Sequence, residues 1–408
     1  MNMKVTVGHA NADFNGADDL TIQAAIEYVT ARGGGTVELK AGTYRLNNSV
    51  RLRSGISLVG AGPDTVLMKE PSVTVPLIEE SDWYEARVTV ADVSAFRVGG
   101  GVLITGQCPH TGQDQHNIHT ILAIEGNTLH LDNRKQAAEH PVHLGNFWLT
   151  HAPAASTLFS LVTANWVTDI RVADLRVDGN RGKSAPLNGN YAAALFFQDC
   201  ERVLIHNVQS GNIESDALSF QIVHDLTVEN SVFHDAIQGV HPGSGSQRPI
   251  IRHNTIRRCT RHGLSWCWGV KHGLAEGNTI EDCPTGISIG HRDTDNVMRG
   301  NIVRRCSEGG LVYRDDPPAR AAHNNLIADN LFEDIGTLEK PGYGIDMSGP
   351  VSGNVLRGNR IRCTRAGLMK AGIRIGPNVA GVVLERNVVE GIARDVEDLR
   401  ASAARGAR

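Results

Sequence analysis

The stretch AEGNTIEDCPTGISIGHRDTDNVMRGNIVRRCSEGGLVYRDD, residues 275–316, decides the fold because it contains one phrase twice. Each copy has an asparagine, a cysteine five residues later, and then a glycine-led run of alternating residues. Similar phrases surround eight asparagines, whose successive gaps are 23, 24, 24, 23, 29, 29 and 28 residues: Asn207, Asn230, Asn254, Asn278, Asn301, Asn330, Asn359 and Asn387. A period of this size is typical of a solenoid, in which one coil of the chain stacks on the next.

The glycine-led runs predict the strands of one parallel sheet, with one strand from each coil. Successive side chains of a strand point to opposite faces. The aliphatic residues are predicted to point inward: Leu218, Val240, Leu264, Ile287, Leu311, Ile345 and Ile373. Their neighbours are predicted to point outward: Ser219, His241, Ser265, Ser288, Val312, Asp346 and Arg374. A second outward column follows two residues on: Gln221, Gly243, Cys267, Gly290, Arg314, Ser348 and Gly376. We expect the asparagines to form their own column at a bend, with their amides bonded to each other and to backbone groups.

The composition agrees with an all-β solenoid. The 408 residues include 44 glycines and only 5% aromatic residues, which suits many short strands joined by tight turns. A net charge of −4 and the lack of a long apolar run give no indication of a nucleic acid or membrane partner. The first residues carry no apolar segment typical of a secretion signal, so the cytoplasm is the default expectation, with removal of a signal as the alternative.

Cysteine and histidine usage gives no indication of a metal site. Cys259, Cys283, Cys306 and Cys363 hold the same place in their coils, which predicts a buried stack of small side chains rather than disulfides. Histidines are frequent in the stretch from residue 108 to residue 151, but their spacing fits no known ligand pattern. No metal site is therefore predicted.

The N-terminal region predicts a capping helix. Residues 18–32, DDLTIQAAIEYVTAR, have apolar residues at helical spacing, with Asp18 or Asp19 as the cap and Gly33 after the end. Such a helix would cover the open end of the first coil. The domain prediction is a cap with the first coils over 1–82, a small antiparallel β insertion with an EGN turn over 83–146, the main β-helix over 147–392, and a charged tail, helical or disordered, over 393–408.

The chain resembles the right-handed parallel β-helix of the pectate lyase-like superfamily. The resemblance lies in ADDLTIQAAIEYVTARGGGTVELKAGTYRL at 17–46, in LRVDGN at 175–180, and in the asparagine column. It implies activity on glycans, because the superfamily includes polysaccharide lyases, glycoside hydrolases such as polygalacturonases, uronate epimerases and phage tailspikes. The ordered polygalacturonase motifs and the DPHD motif of mannuronan epimerases are absent, so no catalytic residue is transferred by motif.

The predicted outward flank carries one cluster of charged and polar residues around a tryptophan. Trp268 is suited to pack against the apolar face of a sugar. Its predicted neighbours are Glu214, Asp216, Gln221, His241, His291, Arg292, Arg314, Asp315 and Asp346. Asp178 precedes a long loop over 181–191 that could wall the same cleft, although DGN is also an ordinary turn phrase. The alternative is that Trp268 packs under a loop and that the charges form ordinary surface pairs.

Elimination at a uronate is the favoured reaction for this cluster. Arg314 or Arg292 would pair with the sugar carboxylate, and His241 would remove the C5 proton. His291 and Lys271 are substitutes for the base. A uronate epimerase would use the same parts and return the proton to the opposite face.

Hydrolysis is the alternative reaction, and it requires two carboxyl groups roughly 5 Å apart for retention or roughly 6.5–9.5 Å apart for inversion. The candidates are Asp315 with Asp346, or Glu214 and Asp216 with Asp199. A third reading is a non-enzymatic glycan-binding or tailspike-like structural protein. No cofactor is predicted, since the flank shows no dense acidic ring for the calcium that assists some lyases of this fold. A homotrimer is compatible with such a rod.

Overall fold

The computed structural model describes residues 3–82, 85–132 and 145–400. In these residues the chain winds as a parallel β-helix, as the repeat predicts, and equivalent strands of successive coils pair in register. Residues 133–144 of the histidine-rich stretch and residues 401–408 of the predicted tail lie outside the described part of the chain.

The long sheet contains 22 strands in the described residues. From His224 onward each coil contributes two short strands to it, separated by the asparagine bend. Its strands are Met3–Gly8, Phe14–Asn15, Gly35–Leu39, Gly42–Leu46, Ile56–Val59, Thr65–Lys69, Thr168–Asp178, Glu201–Gly211, His224–Glu229, Val232–His234, Ile250–Arg252, Thr255–Arg257, Leu274–Glu276, Thr279–Glu281, Val297–Arg299, Ile302–Arg304, Leu326–Ala328, Leu331–Glu333, Val355–Arg357, Arg360–Arg362, Val383–Glu385 and Val388–Glu390.

The site sheet covers another face of the rod with eleven described parallel strands. They are Val50–Arg51, Val162–Asn165, Ala193–Gln198, Asp216–Gln221, Gln238–Gly243, His262–Ser265, Thr285–Ile289, Gly309–Tyr313, Gly342–Met347, Met369–Ile375 and Val396–Asp398. The last strand lies in the predicted charged tail, where Val396–Asp398 form the edge of the sheet. Adjacent strands of such a sheet lie about 4.8 Å apart, which is the advance of one coil.

The core fills the space between the two sheets. The seven residues predicted to point inward are at most 1% exposed, so their burial is confirmed, but four of the seven predicted outward neighbours are buried as well: Ser219, His241, Ser265 and Ser288. Phe220, Trp266 and Tyr313 are fully buried beside them. The predicted cysteine stack is also confirmed, because all four of its members are buried and unpaired. Burial of this apolar surface supplies the main driving force for stacking the coils.

The asparagine ladder is confirmed for six of the eight predicted members. Asn301 shows the pattern: its Oδ1 accepts from the Asn278 backbone N–H at 3.0 Å, and its Nδ2 donates to Asn330 Oδ1 at 2.9 Å. The ladder runs through Asn254, Asn278, Asn301, Asn330, Asn359 and Asn387. The prediction is wrong for Asn207 and Asn230, which lie one position earlier in left-handed backbone conformation, with φ of 51° at each. Ser231 takes the ladder position of that coil and accepts from Val208 N–H at 3.0 Å.

The N-terminal helix is confirmed as Asp19–Thr30. Asp18 is its cap, because its side chain accepts from the Thr21 backbone N–H at 2.9 Å. The fully buried side chains Ile22, Ile26 and Val29 belong to the same core as the coils, so the helix closes the end of the rod.

A six-stranded antiparallel sheet interrupts the coils. Its strands are Thr74–Pro76, Arg87–Thr89, Gly101–Gln107, Asp114–Glu125, Thr128–Leu131 and Ala154–Ser156. It includes the predicted EGN hairpin, where Glu125 pairs with Thr128, and it recruits one strand on each side of the predicted 83–146 insertion. This module has a hydrophobic cluster of its own that includes Val90, Val102 and Phe147. Two 3-10 turns, Leu149–His151 and Pro318–Arg320, complete the described helices.

Candidate functional site

The predicted cluster lies on one wall of the rod. His241 belongs to the strand Gln238–Gly243, and Trp268, His291 and Arg314 follow the strands of the next three coils. The β-helix therefore brings together residues that are more than twenty positions apart in sequence. Two Asp–His pairs stand on this wall, and they differ in burial and in charge.

The first pair is His241 with Asp216, and both are buried. His241 Nδ1 lies 2.7 Å from Asp216 Oδ2, and Gln238 Nε2 donates to the same carboxylate oxygen at 3.1 Å. Burial opposes a charge on the ring, but the hydrogen bond with Asp216 and the contact with the Cys267 thiol outweigh it and raise the pKa of His241 to about 9. His241 is therefore an imidazolium at neutral pH and becomes a base only in alkaline solution.

His262 continues this network on the next coil. Its Nδ1 lies 3.1 Å from Gln238 Oε1. Burial and the charges of Arg261, Arg314 and His241 lower the pKa of His262 to about 3, so this ring is neutral. Sequence reasoning missed His262, although the pairing of its strand with Gln238 follows from the repeat.

The second pair is His291 with Asp316, and its histidine is partly exposed. His291 Nδ1 lies 2.7 Å from Asp316 Oδ1, and the His291 side chain is 24% exposed. Burial and the nearby Arg314 guanidinium lower the pKa of His291, so the imidazole is neutral at neutral pH. The predicted Asp315 is exposed, whereas its buried neighbour Asp316 is the carboxylate that contacts the ring.

Trp268 forms a platform beside the second pair. Its indole stacks on the His291 ring with 4.6 Å between centroids and 14° between planes. A hollow of about 430 Å³ is lined by Ser244, Gly245, Trp268 and Lys271, among others. Arg292, the residue that follows His291, also lines the hollow. A sugar ring in the hollow could pack against the indole.

Three cations surround this platform. Arg292 and Arg320 place their guanidinium carbons 6.0 and 5.7 Å from the Trp268 ring centroid, and Lys271 lines the hollow. None of the three forms an ion pair with a carboxylate of the described residues. Several arginines of the long sheet behave differently, because they pair with carboxylates of the preceding coil, as Arg299 does with Glu276 at 2.6 Å. The platform thus offers free positive charge for an anionic ligand.

The Arg314 guanidinium is occupied by contacts within the protein. Its guanidinium donates to the Trp266 carbonyl and to Ser288 Oγ, and it lies 3.5 Å from Asp293. Burial raises the pKa of Asp293 to about 7, although its carboxyl group accepts three backbone N–H bonds, including one from Val270 at 2.8 Å. Arg314 therefore organises the turns beneath the platform, and Arg292 is better placed to meet a ligand.

Two other predicted acids are paired away from the platform. Asp346 binds Arg374 at 2.8 Å, two coils beyond His291. Glu214 binds Arg181 at 2.7 Å and anchors the 181–191 loop. Asp216 and Glu214 are thus each engaged, and neither is left as a free carboxyl group.

Asp178 and Gln221 make contacts that stabilise the fold. Asp178 accepts from Asn180 N–H at 3.0 Å and from Asn212 Nδ2 at 2.7 Å, so it holds the turn that its DGN phrase suggests. Gln221 is only 6% exposed and fills the space that Gly243 leaves, since a Cβ at Gly243 would lie 2.4 Å from the Gln221 amide oxygen.

A cleft of about 420 Å³ opens at the N-terminal end of the same wall. Its floor includes Phe196 and Gln198 of the site sheet, and its sides include Trp166 and Tyr191. The Tyr191 ring stacks on the His116 ring of the antiparallel module at 5.3 Å. The repeat alone does not predict this cleft, because it depends on how the module and the 181–191 loop sit on the coils.

Two further searches of the described residues bear on partners. No three His, Cys, Asp or Glu side chains in this part of the chain converge where a metal ion could bind. The helices of the same part fall short of the length and hydrophobicity needed to cross a membrane.

Comparison with known proteins establishes the fold. A family model described as a right handed beta helix region matches residues 193–361. No curated protein sequence matches the chain.

Several solved structures share this fold. The mannuronan C-5 epimerase AlgE6 A-module of Azotobacter vinelandii is 13% identical over 93% of this chain and 91% of its own, with a TM-score of 0.57. An exopolygalacturonase from Thermotoga maritima is 11% identical over 97% and 89%, and the adhesin PfbA of Streptococcus pneumoniae is 12% identical over 93% and 95%, each with a TM-score of 0.57. Identities this low show a shared fold and no more. The chain is a right-handed parallel β-helix protein.

Proposed function

We propose that the protein cleaves an acidic polysaccharide or oligosaccharide by β-elimination, with His291 as the base. The observation that carries the proposal is the partly exposed, neutral His291, which lies 2.7 Å from Asp316 and stacks on a tryptophan surrounded by unpaired cations. Fold neighbours named as a mannuronan epimerase, an exopolygalacturonase and a glycoside hydrolase support a carbohydrate substrate.

His291 is a better base than His241, which the sequence placed first. A general base must reach its proton and must be unprotonated at working pH. His241 is 4% exposed and carries a proton at neutral pH, whereas His291 is partly exposed and neutral. Asp316, 2.7 Å from Nδ1, leaves Nε2 with a free lone pair when Nδ1 is protonated.

The reaction proceeds as an elimination across C4 and C5 of a uronate. Arg292 binds the sugar carboxylate and makes the C5 proton more acidic, with Arg320 and Lys271 adding positive charge. His291 Nε2 takes the C5 proton, the C–H electrons form the C4–C5 double bond, and the C4–O bond breaks. The leaving oxygen takes a proton from solvent, and His291 returns its proton to solvent.

Hydrolysis by two carboxyl groups has less support. Asp216, Asp293 and Asp316 are each buried and engaged with a histidine or with backbone N–H groups. Of the predicted pair, Asp315 is exposed but Asp346 is bound to Arg374.

The test is a panel of pectate, alginate, glycosaminoglycan and neutral glycans, read for both unsaturated products and new reducing ends. Elimination gives new reducing ends together with the ultraviolet absorbance of a conjugated uronate. The expected result is both signals on an acidic glycan, lost in His291→Ala and retained in His253→Ala, which changes an exposed histidine of the long-sheet bend. Reducing ends without absorbance would establish hydrolysis instead. Binding with neither signal would establish a glycan-binding protein.

A further inference from the structure

A single column of turn residues links the N-terminal cleft to His291. Each residue of this column directly follows an outward strand position. Those positions are Asn165, Gln198, Gln221, Gly243, Cys267 and Gly290. We name this column the turn ridge: Trp166, Asp199, Ile222, Ser244, Trp268 and His291. All six have positive φ, between 26° and 70°, so the backbone turns in the same sense at every coil.

Large apolar residues are unexpected on this ridge. A left-handed backbone conformation favours glycine, asparagine and aspartate, and strain is greatest for bulky and β-branched side chains. Nevertheless Trp166, Ile222 and Trp268 occupy it and are 58%, 43% and 39% exposed. They cost backbone strain and also leave apolar surface in water, so folding gives no reason for them. A ligand that covers these side chains would account for their presence.

The spacing along the ridge suits a linear chain. Ile222 lies two coils from Trp166, and Trp268 lies two coils from Ile222, which is roughly 10 Å for each step. The whole distance from Trp166 to His291 is five coils, or roughly 24 Å. One unit of a linear hexopyranose chain extends about as far as one coil. The ridge thus offers apolar contacts at every second sugar over roughly five units.

The cleft provides the remote end of this path. Trp166 stands beside Tyr191 on its walls, and Arg51 and Arg53 also line it. Trp166 and Tyr191 repeat the exposed aromatic surface of Trp268, which lies four coils from Trp166, whereas Arg53 is paired with Glu27 at 2.6 Å. A glycan therefore fits the aromatic surfaces at both ends, and its acidic character follows from the proposed reaction at His291.

Resting on the proposed function, we infer that the substrate is a long acidic glycan that lies along the turn ridge, with its remote end in the Trp166 cleft and its reacting uronate at His291. The protein then recognises the interior of a polymer. Oligosaccharides too short to span from His291 to Trp166 lose the contacts of the cleft.

The experiment compares acidic oligosaccharides of increasing length with wild type, Trp166→Ala and the control Trp148→Ala. Trp148 is an exposed tryptophan of the antiparallel module, at 40% against 58% for Trp166, and it lies beside His110 outside the lining of the cleft. In wild type, kcat/KM is expected to rise with length until the chain reaches the cleft. In Trp166→Ala, kcat/KM for long chains is expected to fall about two- to tenfold, so the difference in kcat/KM between long and short chains becomes smaller. Trp148→Ala should follow wild type.

Calorimetric binding to His291→Ala and to Trp166→Ala/His291→Ala separates this inference from the proposed reaction. Length-dependent binding that Trp166→Ala weakens supports the ridge even if no glycan is cleaved. An equal loss at every length, or no loss for long chains, would overturn it. Length-independent cleavage by wild type would overturn it as well while leaving the elimination intact.

Discussion

The charge of the buried His241–Asp216 pair has a measurable effect on stability. A pKa of about 9 for His241, against 6.5 for an ordinary histidine, corresponds to about 3 kcal/mol of interaction between the folded protein and this proton. Because the folded pKa is raised, that stabilisation is fully present below pH 6.5 and is lost as the pH rises through about 9. Asp216→Asn removes the charge 2.7 Å from the ring and leaves burial to dominate.

The perturbation is assayed by denaturant unfolding of wild type and Asp216→Asn in mildly acidic and in strongly alkaline buffer. The variant is expected to lose about 3 kcal/mol of unfolding free energy in acid and much less in alkali. Asp225→Asn is the control, since its pair with Arg248 is exposed and should change stability by under about 1 kcal/mol. An NMR titration of His241 should give a midpoint near 9. A midpoint near 6.5, or an equal loss at both pH values, would refute the reasoning.

Three further predictions follow from the ladder and the platform. Asn301→Ala leaves the Asn278 N–H and the Ala275 carbonyl without partners in the core, so unfolding in denaturant should show a loss of about 3 kcal/mol. Asp316→Ala should free the His291 ring from its orientation and change both Trp268 fluorescence and the pH profile of activity, whereas Asp315→Ala should leave both unchanged. Arg292→Ala should raise KM for an acidic glycan several-fold and should also lower kcat, because Arg292 makes the C5 proton more acidic; both are measured at low ionic strength. A rise in KM that persists for neutral glycans would contradict this role.

The fold was predictable because each coil repeats one local pattern. The inward column, the cysteine stack and the capping helix each follow from periodicity and burial, and the structure confirms all three. The exceptions in the asparagine column have a local cause. Asn207 and Asn230 sit at the left-handed position one residue before the ladder, and asparagine is favoured at both positions.

The site was predictable in outline and not in detail. The register of the coils places His241, Trp268 and His291 on one wall, as the repeat predicts. Burial and charge are not encoded in that register, so the sequence put His241 ahead of His291 as the base. The choice between Asp315 and Asp316 likewise depends on the path of the loop after the strand, where alternation no longer applies.

The cleft at Trp166 depends on long-range packing. It forms where the antiparallel module and the 181–191 loop meet the first coils, and no local pattern specifies that contact. The exposed tryptophan in a left-handed turn becomes informative only when the coils are stacked and Trp268 is seen in the same column.

The pH dependence of kcat/KM on a responsive acidic glycan tests the central claim most directly, because the two histidines titrate on opposite sides of neutrality. If His291 is the base, the rate rises through an apparent pKa below 6.5 and is already level at neutral pH. A rate that keeps rising to an apparent pKa near 9 would assign the base to His241 and contradict the account.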